Sequence, residues 1–496
     1  MADLDVIVVG AGCGGLPAGA LLAKEGRRVL VLDQASRVGG CCSTFEHQGY
    51  RFDVGASILE IAEPIARIFE RLGTRFEDEV DLIPCDPIVS VILRDGSRIT
   101  YPMSMEGTKA ALARISPEDA AAWDRYEAFF HELTDVAFET LFAEPADSLL
   151  DLARWIRKEP RLLRFLPAYL RSYEGFLGDY FSPRVRDSFA FQSFYFGLSP
   201  ELLPGLFTMV PATEHRGVYY PRGGMIQVPL ALQRVGERHR MEVRLGTPVS
   251  RILVRDGRAE GVRLADGTEL TAPVVVSNVN AIRTYQTLVG EEHLPPLVRR
   301  GIRSYDYSLA CMMVYVGMDE RPPLEGHHTL VAPTIEELDA YFRQRRTKPV
   351  PDRHFGLIGW STFADPAMAP EGRHALNLTM GGFSFDGIDW DAEKARVVDD
   401  VIDFLSGDII PGLRDHVEVA LATTPLDFDR EVGVDHGAIY GIEQSLPQQT
   451  VFRPANRSKS IDGLYLAGSS TNPGGGVPTT IVSGAITAGL VSRYAQ

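Results

Sequence analysis

Gly10, Gly12 and Gly15 stand in the spacing G-x-G-x-x-G, and Asp33 closes the next apolar run but one. The chemistry open to this set is the holding of a dinucleotide. Gly10 allows a tight turn, Gly12 admits a diphosphate to the backbone, and Gly15 lets a helix pack closely on a strand. Amides at the start of that helix face the phosphates. Asp33 accepts from ribose hydroxyls and disfavours a ribose 2′-phosphate, which argues against NADP. A second cluster, Gly474-Gly475-Gly476, lies near the other end of the chain and runs into Val477-Pro478. Pro478 suits the first turn of a helix, where its missing N–H costs nothing. Bare glycine backbone before a helix leaves unpaired amides and a partial positive charge. That end would stabilise the negative charge gathered at the pyrimidine edge of a reduced flavin. The first loop by itself fits either NAD or the ADP half of FAD; one extended FAD, with its diphosphate on the first loop and its ring against the second, would account for both.

Other chemistries lack their residues. There is no G-x-S-x-G or comparable nucleophile motif. His327-His328 is an adjacent pair without a third ligand at suitable spacing, so no metal is expected. Cys41-Cys42 reads as small buried thiols beside the cofactor rather than as a redox pair or a flavin attachment point.

The elements that must position these residues follow from the apolar pattern. Residues 6–9 form a β-branched run suited to a strand buried on both faces. A helix is expected over 17–25, closed by Gly26, and a second strand over 29–32. Residues 461–466 read as a strand. The helix after Pro478 carries Gly484, Ala485, Ala488 and Gly489, small residues that permit close packing. Asp95-Gly96, Asp256-Gly257 and Asp266-Gly267 sit between alternating runs and mark β-hairpins. From about 103 to 215 the pattern is helical. From about 300 to 430 strand-like runs such as "ACMMVYVGM" and "HALNLTM" alternate with helices. No internal repeat or low-complexity linker is visible.

A chain of 496 residues is long enough for two or three domains. Its formal charge of −16 argues against nucleic acid as a partner, since phosphates would be repelled. Five cysteines, few and odd in number, point to a reducing compartment rather than a disulfide framework. No run of about 18 apolar residues marks a transmembrane helix. Asp3 and Asp5 stand where a signal peptide would be basic. The expected location is cytoplasmic, with peripheral attachment at the inner face of the membrane as an extension. That extension rests on 149–177, where Arg154, Arg157, Lys158, Arg161, Arg164 and Arg171 are interspersed with Leu, Trp, Phe and Tyr. The stretch suits either a helix lying on anionic lipid or a cap helix packed inward.

After Asp33 the chain continues "QASRVGGCCSTFEHQGYRFDVGAS", and it ends in "QQTVFRPANRSKSIDGLYLAGSSTNPGGGVPTTIVSGAITAG". With "YYPRGGM" at 219–225 and the segment 247–280, these stretches resemble the phytoene desaturase, carotenoid isomerase and retinol saturase branch of the FAD-dependent amine-oxidase superfamily. The resemblance implies an α/β fold: a discontinuous Rossmann-like FAD domain (1–75, 217–290, 435–496), a mixed-sheet substrate domain (76–102, 291–434) and a helical cap (103–216). It implies that FAD touches Ala11, Gly14, Gln34, Arg37, Gly39, Gly40, Gly55, Ala56, Ser57, Val249, Gly468, Ser469, Gly476, Val477 and Pro478, beside the glycines and Asp33 above. Glu60, Glu214, His215 and Arg222 fall in segments expected to border the flavin or a substrate tunnel, more as structural or positioning groups than as bases. Asn472 stands where desaturases often have His. Catalytic residues stay unassigned.

The implied activity is desaturation of a long apolar isoprenoid by hydride transfer to flavin, with oxygen or a quinone as final acceptor. Alternatives are a polyene cis–trans isomerase or saturase, an amine oxidase, and a flavin-free prenyl-lipid binder of the same fold. The intact glycine loops and Asp33 argue against the last.

Overall fold

The computed structural model describes residues 4–140, 142–143, 145, 147–344, 350–351 and 353–495. Val6–Val9 and Val29–Leu32 are fully buried strands that pair in parallel. Val6–Val9 pairs on its other side with Val274–Ser277, also in parallel. Glu242–Arg244 and Leu464–Leu466 complete a five-stranded parallel sheet in the order 242–244, 29–32, 6–9, 274–277, 464–466. Strand order reverses at Val6–Val9, so a crevice opens at the carboxyl ends of the strands, where open α/β sheets take ligands. Gly10, Asp33, Asn278 and Ala467 each follow directly on one of those ends.

The two ends of the chain meet here. The helix Gly15–Lys24 packs on the helix Val477–Tyr494. A Cβ on Gly484 would lie 2.2 Å from the Gly14 carbonyl oxygen, and one on Gly14 would lie 2.8 Å from the Gly468 amide. Gly15 has the same reason to lack a side chain, since its Cβ would fall 2.0 Å from the carbonyl of Gly10.

A second, mixed sheet of seven strands runs in the order Val417–Thr423, Ala310–Met318, His374–Phe383, Gly356–Trp360, His328–Val331, Val89–Ile92, Arg98–Tyr101. Val89–Ile92 and Arg98–Tyr101 form the hairpin turned by Asp95-Gly96. Val249–Arg255, Arg258–Leu264 and Glu269–Thr271 form an antiparallel sheet through the other two Asp-Gly turns. A small sheet of Leu59–Glu60, Val218–Pro221 and Leu82–Pro84 adjoins these. It is tied to the glycine region by buried Asp53, whose carboxylate accepts from the Thr44 and Tyr220 hydroxyls, both at 2.7 Å, and from the Met225 amide at 2.9 Å.

The intervening chain is helical, as its pattern predicts. Its longest helix, Pro117–Glu139, starts at Ser116, whose side chain accepts from the Asp119 amide. The stretch 149–177 is not one interfacial helix. It forms three short helices, Leu149–Lys158, Leu162–Leu170 and Tyr173–Leu177. Pro160 and the capping Ser172 fall at the breaks, and both disfavour continuation. Among the described residues no helix is long and apolar enough to cross a membrane.

Candidate active site

One cavity of about 790 Å³ runs from the switch point of the parallel sheet to the helical cap. At the sheet end its wall includes Gly10, Gly12, Asp33, Gln34, Gly39, Gly40, Gly55, Ala56, Ser57 and Val249. Ser469, Gly476, Val477 and Pro478 join from the chain's other end. Gly476 precedes the helix Val477–Tyr494, so the amides of its first turn open into the cavity. Asp33 has two tasks. Its carboxylate accepts from the Ala11 amide at 2.6 Å and the Ala35 amide at 2.8 Å, which fixes the glycine loop to the end of the second strand. Burial raises its pKa, and lone pairs remain for a ligand hydroxyl.

Several expected residues stand behind the wall. The Ala11 amide is taken by Asp33, and its carbonyl accepts from Gly39. Gly14, Gly15 and Gly468 serve packing. Arg37 donates to the Ser43 hydroxyl at 3.3 Å and lies over the Phe45 ring. Arg222 is exposed and bonds Asp81 at 2.6 Å. His215 bonds the Met103 carbonyl at 2.9 Å and meets Trp123 edge-on. Asn472 does reach the cavity, but its amide donates to the Thr450 carbonyl at 3.2 Å and to Asp147 at 3.4 Å. It joins the C-terminal loop to the chain at the cap.

Asn278 was not singled out from the sequence and is central here. Its side chain donates to the Ala467 carbonyl at 3.1 Å. A Cβ on Gly12 would lie 2.6 Å from its Oδ1. Gly12 is therefore bare toward Asn278 as well as toward a ligand. A polar residue closing the run "VVVS" at a strand's carboxyl end is the signal that could have found it.

At the cap end the wall is apolar: Phe142, Phe194, Phe196, Leu206, Phe207 and Met209, with Leu357 from the mixed sheet. A few polar groups interrupt it. Glu60 lines the cavity and is hydrogen-bonded to Glu214 behind it, which also accepts from Gln192 at 2.9 Å. Burial pushes Glu60 up to about 7 and Glu214 well above the usual carboxylate range, and the Glu60 charge beside it raises Glu214 further. Tyr195 and His328 stand on the same wall, and leaving such buried groups unbonded costs about 1–3 kcal/mol each. His327, beside them, has its ring nitrogens against the Ser57 and Trp360 carbonyls at 2.8 and 3.0 Å. No cluster of metal-ligand type occurs among the described residues. Cys41 and Cys42 line the cavity as free thiols, and burial pushes Cys41 up to about 12.

A glycine loop at a sheet's switch point, an acid at the next strand end and a long helix aimed into the same cavity define a dinucleotide-binding oxidoreductase. The chain belongs to the flavin containing amine oxidoreductase family, which it matches over residues 13–492, and its cofactor is FAD. It is 30% identical to a 4,4′-diapophytoene desaturase (4,4′-diapolycopene-forming) of Methylomonas sp., over 98% of this chain and 95% of that one. It is 32% identical to a phytoene desaturase of Fusarium fujikuroi, over 98% of this chain and 89% of the other. These relatives put it in the phytoene desaturase branch. In fold it is similar to an oxidoreductase from Methanosarcina mazei, with a TM-score of 0.66, 18% identity and coverage of 97% and 99% of the two chains.

Proposed function

We propose that this chain desaturates a long apolar isoprenoid, removing two hydrogens from neighbouring carbons to form a new double bond. The observation that carries the reading is the continuity of one cavity, glycine backbone and helix amides at one end and aromatic wall at the other. The names of the related desaturases support the same substrate class.

The residues present fit FAD. Gly10 and Gly12 leave the loop backbone bare for a diphosphate, Asp33 keeps lone pairs for a ribose hydroxyl, and the first-turn amides of the helix Val477–Tyr494 suit an anionic ring edge. Bound there, FAD supplies an acceptor for a hydride. The chain's own residues do the rest. The aromatic cap wall excludes water and lays the substrate chain along the cavity, so that the reacting carbons are held in line. One C–H bond gives up its electron pair with the hydride. The neighbouring carbon gives up a proton, which passes out to solvent, and its bonding pair becomes the new π bond. The electrons then pass to an acceptor such as oxygen or a quinone.

Delivery of such a substrate fits a lipid surface. Leu149, Leu150, Leu163, Leu166 and Leu170 are 70%, 77%, 54%, 46% and 62% exposed, and Phe452 is 60% exposed. Tyr169, in the same helix as the last three leucines, lines the cavity and meets Thr450 at 3.3 Å. An apolar surface on a helix that also lines the cavity suits a route from the bilayer without passage through water.

The test is anaerobic. Oxidised enzyme is mixed with a panel of hydrogenated isoprenoids while the visible absorption of the flavin is followed. Bleaching coupled to a product two hydrogens lighter is the expected result. Turnover of a polyene only after the flavin has been reduced, with no bleaching by any saturated candidate, would overturn desaturation in favour of isomerisation or saturation.

A further inference from the structure

Three polar side chains on the cavity wall have atoms with nothing to bond. Glu60 Oε1, the Tyr195 hydroxyl and both ring nitrogens of His328 are shielded from solvent and have no hydrogen-bond partner among the described residues. They come from three separate elements, Leu59–Glu60, Phe191–Phe196 and His328–Val331. They nevertheless form one group. The Tyr195 and His328 rings stack at 6.0 Å with 4° between their planes. The Glu60 carboxyl is near enough to Tyr195 to oppose loss of the phenol proton. Glu214 and Gln192 support Glu60 from behind without occupying Oε1. Orphaned buried polar atoms are few in folded proteins, and each calls for an explanation. Gathered on the wall of a ligand cavity, their natural partner is the ligand. A pure hydrocarbon has no donor or acceptor to give them and would seal all three in place.

We propose, building on the desaturase reading above, that the substrate carries a hydroxyl group bound by Glu60, Tyr195 and His328. A hydroxyl has one hydrogen to donate and two lone pairs to accept. The wall supplies a matching set: the Glu60 carboxyl accepts, the Tyr195 O–H donates, and an imidazole kept neutral by burial donates its one N–H. A carbonyl oxygen has no hydrogen for the free Glu60 oxygen to accept, and a carboxylate would bring a buried charge with no cation opposite it. An ammonium needs a full negative charge opposite, and burial favours the protonated, neutral form of Glu60. The assignment makes Glu60, Tyr195 and His328 determinants of specificity that distinguish an isoprenoid alcohol from the parent hydrocarbon.

The oxidised holoenzyme is titrated with acyclic isoprenoids of stepped length in matched sets of hydrocarbon, alcohol and primary amine. Binding is read from the change in the flavin's visible absorption. At one or more lengths the alcohol is expected to bind about tenfold or more tightly than its hydrocarbon. Tyr195→Phe and Glu60→Leu should each cut that preference about threefold or more without weakening the hydrocarbon, with flavin content checking that the variants have folded. Equal binding of alcohol and hydrocarbon at every length would overturn the proposal and leave water as the group's partner. Tightest binding of the amine, lost in Glu60→Gln, would overturn it in favour of an ammonium subsite. Hydrocarbons that bind and are desaturated with no preference for alcohols sink the hydroxyl site alone. Failure of every isoprenoid to bind sinks the desaturase reading along with it.

Discussion

Arg453 carries a positive charge into the protein interior, 3% exposed, and spends it on backbone. Its guanidinium donates to the carbonyls of Thr471 and Ile442, both at 3.1 Å, to Gln448 at 3.3 Å, and to Ser469. Burial lowers its pKa to about 10, still protonated at neutral pH. The planar fork holds the two sides of the C-terminal loop together, which a single ammonium cannot span. Arg453→Lys should therefore lower the unfolding free energy by about 2–3 kcal/mol and release much of the flavin. Thermal unfolding and flavin stoichiometry measure this, and a variant that keeps both intact would remove the clamp from the account. The motif Phe452-Arg453-Pro454 is visible in the sequence, but its task is not, since it depends on carbonyls up to 18 residues away along the chain. The same holds for Tyr195 and His328. Neither has a local pattern that marks it, and only the packing of cap on sheet sets them side by side. Gly10, Gly12 and Asp33 were legible because loop, helix and strand are contiguous and each residue's task is local.

Among the elements, the helices Leu149–Lys158 and Leu162–Leu170 differ most from expectation. Their basic residues suggest attraction to anionic lipid, yet Arg154 pairs with Asp151 at 2.8 Å, Arg161 with Glu159 at 2.7 Å and Arg164 with Glu132 at 2.6 Å. Arg171 pairs with Asp179. Exposed pairs of this kind add little stability, but they reduce the charge offered to a membrane. What stands out instead is apolar. Changing Leu150, Leu163, Leu166 and Leu170 to Ser should abolish flotation with lipid vesicles. Charge reversal at Arg154 and Arg164 should weaken it much less than reversal at the exposed Arg157 and Lys158. Flotation that survives loss of the leucines but vanishes in moderate salt would restore the electrostatic reading. Pro160 and Ser172 were in plain view as breaks. The ion pair of Arg164 was not, because Glu132 belongs to a different helix.

At the scale of the whole molecule, the proposed placement, with one cofactor touching both ends of the chain, would make ligand and fold interdependent. Binding to the folded state alone stabilises it by about 2.7 kcal/mol at a hundredfold excess over Kd. Stripping the flavin should lower the unfolding temperature, and restoring it should slow amide exchange in 10–15 and in 468–476 together. Protection confined to the first loop would mean that the second does not hold the ring. The pairing of the two glycine clusters was legible from the sequence, since either alone is half of a site. The sheet order that brings them together was not, because parallel pairing leaves no mark in the intervening residues.

That sheet order bears on how the chain is made. Val275 pairs with Leu464, so an outer strand of the central sheet is made long after the neighbour it pairs with. During synthesis the first strands emerge long before this partner exists, and at roughly 5–20 residues per second the wait is on the order of half a minute. Once made, Val274–Ser277 presents an open apolar edge until that partner arrives. Long-range parallel pairing is also slow to form once the chain is free. The nascent protein is thus exposed to aggregation until residues 464–466 arrive, and heterologous production should gain from lower temperature, which weakens apolar association, and from generous chaperone supply.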